Sequence, residues 1–442
     1  MKPIGEDMAG NVTWRDAKVQ GCKVHGCICA LTIARMRGPG LALAIVAVMA
    51  TTTGGIAGVV QVQVAPSAVG LDAAALGKAT SLLQSVVAEG AIAGAVAGVV
   101  RRDQIAYLEA VGVQDLTTGV PMSSRTLFRI YSMTKPVTAV AVMMLLEEGK
   151  FQLSDPVSKY LPEFADVKVG GGADARPPAR PITVEDLLLH TSGLSHRTSD
   201  LYRDLQVRSR ADTLSQFVTK ITRAPLMEDP GTRFRYSEAT TVLGRLVEIW
   251  SRQPFDAFLQ QRILRPLQMR DTSFWVTADA APRLATVYGP GADGRLTPVD
   301  IEAVPFTAKP ALIEGAVGLV STVPDFLNFA RMLLNEGTLG TIRLLKTDTV
   351  RRMVANGLSP ALLQSRGGKM GWGLGNVSVV IDPTGLGYPA ATREYGWDGT
   401  AGTIFWNDPA TGTAIVLMTQ SAPANPAGVR QRFKTAIEAA RR

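Results

Sequence analysis

Cysteine is almost missing from this 442-residue chain: there are three, Cys22, Cys27 and Cys29, and everything after them is free of thiols. Disulfides therefore cannot hold the body of the protein together, and a catalytic cysteine there is excluded. Histidine is as scarce, with only His25, His190 and His196, which leaves little for a His-rich metal centre or a Ser-His-Asp triad. The cysteines and His25 form a C-x4-C-x-C cluster that fits none of the usual zinc spacings. We expect no metal and no cofactor. Runs of one charge are missing too. Lys and Arg number 46 against 38 Asp and Glu, and the +8 excess is thinly spread, so nucleic acid is not an expected partner. Apolar residues make up 46% and charged residues 19%, which excludes a disordered or fibrous chain. Repeats and low-complexity tracts are absent, and no Gly-x-Ser-x-Gly elbow occurs, which argues against the α/β-hydrolase fold.

One long apolar stretch is present, Leu41 to Val60, preceded by Arg35 and Arg37. Positive charge, an apolar run and then small residues such as Gly55-Ile56-Ala57 form a signal-peptide profile. It would be correctly placed if translation began at Met36. Residues 1–37 then read as a tail that is not translated, 38–68 as signal peptide plus linker, and 69–442 as the functional domain. Uncleaved, the same segment is long enough for a single membrane anchor. The expected location is exported, periplasmic or secreted, with membrane anchoring as the alternative.

Within the domain, apolar residues at helical spacing from Asp72 to Glu89 predict an opening helix stopped by Gly90. Ala91 to Val100 and Ile105 to Val113 then read as an antiparallel hairpin. A second helix runs from about Met133 to Glu148. Residues 152–310 read as a helical insertion of short helices and loops. Beyond it come a helix at Val323 to Asn335, strands at Tyr395 to Trp406 and Thr413 to Thr419, and a last helix near Val429 to Ala440. Strands at both ends of the domain thus enclose a helical middle.

Ser132-Met133-Thr134-Lys135 opens the second helix, and this Ser-x-x-Lys spacing puts the amine one turn from the hydroxyl. A serine hydroxyl needs a base, and a lysine can be that base only if burial or nearby cations lower its pKa from ~10.4. Tyr236, in Phe234-Arg235-Tyr236-Ser237-Glu238, sits in a loop that opens a helix, where a tyrosinate could share the proton. Tyr395-Gly396-Trp397-Asp398-Gly399-Thr400 leads into a strand, and its glycines suit a backbone that comes close to a ligand.

Taken together these elements resemble the serine β-lactamase-like hydrolases: class C β-lactamases, penicillin-binding DD-peptidases and, most closely, related esterases whose third motif carries Trp. The resemblance covers about Ala91 to Gln420. It rests on Tyr131-Ser132-Met133-Thr134-Lys135, Leu187 to Leu194 with His190-Thr191-Ser192-Gly193, Tyr236-Ser237, Pro266-Leu267-Gln268-Met269, Gly318 to Thr322, and Gly396-Trp397-Asp398-Gly399. It implies a mixed α/β (α+β) fold, an antiparallel sheet flanked by helices, with an adjoining helical domain and the active site in the groove between them. It further implies Ser132 as the acylated nucleophile, Lys135 as its proton-transfer partner and Tyr236 as a general base. An oxyanion hole from the Ser132 and Thr400 amides would lie beside the substrate-binding segment Trp397, Asp398 and Gly399.

Two departures bear on the substrate. The family's Tyr-x-Asn is Tyr236-Ser237-Glu238 here, and its Lys-Thr-Gly or His-x-Gly is Trp397-Asp398-Gly399. A carbonyl-binding amide and a carboxylate-binding cation are both lost, which points to neutral acyl esters or amides. The expectation is a serine hydrolase acting on small esters or amides. The alternatives are β-lactamase or DD-peptidase activity, acyl transfer on the same fold, and a catalytically silent binding protein. Lys346-Thr347-Asp348 reads as a helix start, His190 as buried and hydrogen-bonded, and His196 as a loop residue. Trp372 and Trp406 read as core.

Overall fold

The computed structural model describes residues 63–301 and 306–441, with the backbone of Cys22–Val24 and Cys27–Cys29. It divides into two compact units, Met1–Gly58 and Val59–Arg442. In the first, the two three-residue strands pair antiparallel with Cys22 opposite Cys29, although runs this short carry no alternation that a sequence reading can use. The Leu41 to Val60 segment, with its export or anchor reading, lies outside the described residues. Among the described residues no helix is long and apolar enough to cross a membrane.

The second unit opens with α1 (Ala73–Ala88), whose N-cap Asp72 accepts a hydrogen bond from Ala75 N at 2.9 Å. Strands β1 (Gly94–Arg101) and β2 (Gln104–Gly112) form the expected hairpin. Its turn residues Arg102 and Asp103 both have positive φ, the geometry that matches strand twist in a two-residue loop. Neither is glycine, so the turn needs outside support. Arg331 Nε and Asn335 Nδ2 supply it by donating to Asp103 Oδ1 at 2.9 and 2.7 Å.

Helix α2 (Thr134–Glu147) is buried on every side from Thr134 to Leu145, as a helix apolar all round must be. It packs on α3 (Ala239–Ser251). Between α2 and Val320 the chain is otherwise short helices, turns and one small hairpin, Tyr288–Pro290 with Leu296–Pro298. Helix α4 (Val323–Leu334) then packs on the sheet, where Gly98 leaves room for it: a Cβ there would lie 2.6 Å from Leu327 Cδ1.

Five more strands complete the sheet: β3 (Met370–Gly373), β4 (Val377–Val380), β5 (Tyr395–Asp398), β6 (Ile404–Asp408) and β7 (Thr413–Thr419). The order is β3-β4-β5-β6-β7-β1-β2, antiparallel throughout. Alternation sorts its two faces. Ala414, Val416 and Met418 join the large core shared with α2, α3 and α4, while Ile415 and Leu417 join a smaller core under α1 and the C-terminal helix α5 (Val429–Ala439). The sequence reading is corrected in two places. Tyr395 to Trp406 is two strands, because Gly399 N bonds Thr403 O at 2.8 Å and closes a turn between them. Strands β3 and β4, four residues each, are too short to show a period.

Candidate active site

The hinge of the site is a tight turn. Phe128–Arg129 pairs with Val320–Ser321, and Ile130 N bonds Leu319 O at 3.1 Å. The chain then enters a 3-10 turn at Tyr131–Met133 that runs straight into α2. Tyr131 holds a φ of 40°, a left-handed conformation that costs a non-glycine residue about 1 kcal/mol or more. Its ring is fixed edge-on against Phe306 at 6.0 Å. The strained turn presents Ser132 at the surface of the groove, 8% exposed, and keeps Lys135 sealed one helical turn on, 1% exposed.

Lys135 Nζ lies 3.3 Å from Ser132 Oγ, donates to Ala316 O at 3.0 Å and sits 4.5 Å from the centre of the Tyr236 ring. Burial lowers its pKa to about 7. Arg197 adds to that lowering, and Glu238, Glu314 and Asp398 oppose it. The Tyr236 phenol moves the other way. Burial raises its pKa despite hydrogen bonds with Ser132 and with Trp397, whose Nε1 donates at 3.1 Å. The pair is thus pushed towards an uncharged amine beside an uncharged phenol.

The Tyr236 ring stands in an aromatic nest, with ring-centre distances of 4.8 Å to His190, 5.3 Å to Trp397, 5.8 Å to His196 and 6.0 Å to Trp372. His190 is fully buried and accepts from Ser237 N on Nδ1 at 3.3 Å. Burial, then the charge of Lys135, holds its pKa well below the ordinary imidazole value, so it supports the tyrosine as a neutral ring. His196 is the loop residue expected, and it also stacks on Tyr236. Trp372 is core, with Nε1 donating to Leu188 O at 3.2 Å. Trp406 faces the other side of the sheet, in a cavity of about 330 Å³ with Tyr388 and Glu394. Lys346 is the N-cap position of helix Thr347–Met353.

Opposite the serine turn lies the loop Gly399–Thr403. A Cβ on Gly399 would fall 2.4 Å from Ile130 O and 2.3 Å from Thr403 Oγ1, so only glycine lets this loop reach the serine turn. Arg430, from α5, then ties the loop down. It pairs with Asp398 and donates from Nη2 to Gly399 O at 3.0 Å and Thr403 O at 3.2 Å. Asp398 therefore spends its carboxylate on a structural arginine. The backbone N–H groups of Ser132 and Thr400 have no hydrogen-bond partner among the described residues, as an oxyanion-binding pair requires.

The third wall is helical and charged. Glu238 and Glu314 are both fully buried. Glu238 N bonds Ser195 O, and Arg197 is the strongest of the charges that keep its carboxylate ionised, lowering its pKa against burial. Glu314 takes a two-pronged bond from Arg208, with Nη2 to Oε2 at 2.7 Å. Among the described residues no three His, Cys, Asp or Glu side chains gather as metal ligands.

A nucleophile with a buried amine, a neutral phenol and two free amides can form and break an acyl bond. The beta-lactamase family profile matches residues 79–440. The chain belongs to the beta-lactamase family. An uncharacterised protein of Mycobacterium tuberculosis is 36% identical over 362 residues, covering 77% of this chain and 89% of its own length. Esterase EstB of Burkholderia gladioli is 32% identical over 385 residues, covering 81% and 93%. Among solved structures, EstCE1, a hydrolase with promiscuous acyltransferase activity, superposes with a TM-score of 0.73 at 27% identity, covering 82% of this chain and 98% of its own. The protein is a serine hydrolase of this family, with its mixed α/β fold.

The structure brings Ser132, Lys135, Tyr236 and Trp397 into contact with one another, with the 399–403 loop packed at Gly399 against the serine turn. Sequence reasoning missed Arg197, Arg208, Glu314 and Arg430. None lies in a family motif, and the one available hint was the acid at position 398, which calls for a cation somewhere in the fold.

Proposed function

We propose that the protein hydrolyses carboxylic esters, and related amides, through an acyl-enzyme on Ser132. The observation that carries this reading is the sealed Lys135 amine, lowered to about 7 and 3.3 Å from Ser132 Oγ. In its neutral form the amine takes the serine proton as Oγ attacks the carbonyl carbon. The phenol, held protonated by burial, is the donor rather than the base in the acylation step. The oxyanion settles on the Ser132 and Thr400 amides. Collapse breaks the acyl carbon–oxygen bond, and the departing oxygen takes the Tyr236 proton, which the Lys135 ammonium replaces. Water then attacks the acyl-enzyme by the same exchange in reverse. Glu238 in place of an amide and Trp397 in place of a cation favour esters over β-lactams, as does the likeness to EstB. The arginine-flanked apolar segment from Leu41 supports placing this activity outside the cytoplasm.

The test is turnover of a short-chain p-nitrophenyl ester and of a chromogenic cephalosporin by wild-type and Ser132→Ala protein, with intact mass read in parallel. Wild type should release nitrophenol and spare the cephalosporin, and Ser132→Ala should lose about 10³-fold or more. Undiminished ester turnover by Ser132→Ala sinks the assignment.

A further inference from the structure

A recess of about 570 Å³ is lined by Arg197, Tyr202, Arg203, Gln206, Arg208, Ser209 and Lys220. Four of its seven lining residues are cations and none is an acid. Each of these cations has an acid partner that does not itself line the recess: Glu314, 0% exposed, for Arg208, Asp212 for Lys220, Asp200 for Arg203, and Glu238, whose carboxylate Arg197 helps keep ionised. Both ends of the recess are joined to the catalytic groups. Tyr202 Oη accepts from Ser195 N at 2.9 Å, and Ser195 O holds the backbone of Glu238, two residues after Tyr236. At the other end Arg208 grips Glu314, two residues before the carbonyl of Ala316 that takes the Lys135 amine.

We infer that this recess is a subsite for an anionic group, a carboxylate or a similar oxyanion, on the leaving alcohol of the ester. The inference rests on the hydrolase reading above and names its substrate class. The side of the bond follows from chemistry. The groups that hand a proton to the departing oxygen must stand on the leaving side of the carbonyl, and the recess is linked to them through Arg197, which lines it and acts on the charge of Lys135, and through the Tyr202–Ser195–Glu238 bonds. Guanidinium forks in a partly enclosed pocket bind carboxylates in a fixed orientation and draw them in from solution.

Phenyl acetate and 3-carboxyphenyl acetate share an acyl group and release phenols of similar acidity. Acid release from each, followed by pH-stat, should show kcat/KM about tenfold higher for the carboxylated ester, roughly what one charge-assisted hydrogen bond supplies. The ratio should fall towards one in about 1 M salt, where screening reaches ~3 Å. It should fall similarly in the Arg203→Gln/Lys220→Gln protein, whose side chains are 62% and 31% exposed and whose folding is checked by thermal melting. A wild-type ratio of one or less, with Ser132-dependent turnover of both esters, overturns the subsite and leaves the hydrolase reading standing. A ratio untouched by the double substitution also overturns it. So does an anion preference seen only with the carboxylate on the acyl chain, as phenyl monoglutarate against phenyl pentanoate. Absence of Ser132-dependent turnover of both esters removes the hydrolase reading and this inference together.

Discussion

Two of the walls around the serine are built on different physics. On the sheet side the Gly399–Thr403 loop is held by backbone: a glycine with no room for a side chain, carbonyls bonded by Arg430, and a close fit to Ile130. On the helical side the wall is held by buried charge, with Glu238 and Glu314 set among Arg197, Arg208 and Lys135. In the proposed mechanism the first arrangement sets where the oxyanion sits, and the second sets which groups carry a proton. Position is therefore sensitive to fractions of an ångström on one side, and protonation to single charges on the other.

The sharpest way to break the comparison is Gly399→Ala. Its Cβ would meet the backbone carbonyl of Ile130, which cannot swing aside, and the buried Thr403 hydroxyl. The loop must move, and the Thr400 amide moves with it. We expect kcat to fall about 10²- to 10³-fold, the usual cost of an oxyanion donor, with KM little changed. Steady-state kinetics on the p-nitrophenyl ester would measure it. A kcat within about threefold of wild type would mean that the sheet wall is not the rigid one.

Arg430→Met sharpens the same contrast with a smaller effect. It leaves Gly399 O and Thr403 O without their donor and Asp398 without its cation, but the loop keeps its glycine and its own turn. Asp398 is 41% exposed, so water takes up part of the lost pairing. We expect unfolding in urea to show a loss of about 2 kcal/mol and kcat to drop about tenfold. Unchanged kcat with lowered stability would make Arg430 a fold residue that does not position the loop.

What could be read from the sequence divides along the same line. The hairpin, α2 and the Ser132, Lys135, Tyr236 and Trp397 positions are local: each is carried by a period, a stop signal or a short motif. The α/β fold with an antiparallel sheet came from the resemblance that those short motifs carry, not from the strand pattern itself. The supports of the site are not local. Arg430 reaches the 399–403 loop across about thirty residues, and Arg208 reaches Glu314 across about a hundred. An isolated arginine has no period, and its partner is fixed only when the sheet and helices close. Strands β3 and β4 were invisible for a related reason, since four residues joined by a turn at Asn376, itself at positive φ, take their conformation from pairing rather than propensity.

The smallest effect tests the charged wall most directly. The ionised carboxylate of Glu238 raises the Lys135 pKa, and Arg197 lowers it, each against the larger lowering by burial. Catalysis needs the neutral amine, so kcat/KM in wild type should rise with pH through about 7. Removing the negative charge in Glu238→Gln favours the neutral amine further, and the acid limb should move to lower pH by up to about one unit. Arg197→Gln should move it to higher pH. Burial of a carboxamide at position 238 also changes stability, and the limb's position separates the two effects, because a purely structural loss lowers the plateau without moving the limb. The fold carries its own check. The folded lysine binds its proton less readily than the unfolded one, so between about 7 and ordinary lysine values the unfolded chain holds more protons and stability rises with pH. Glu238→Gln widens that window downward and Arg197→Gln narrows it. Limbs that moved together, or a single limb near the titration range of a phenol, would return the base role to Tyr236.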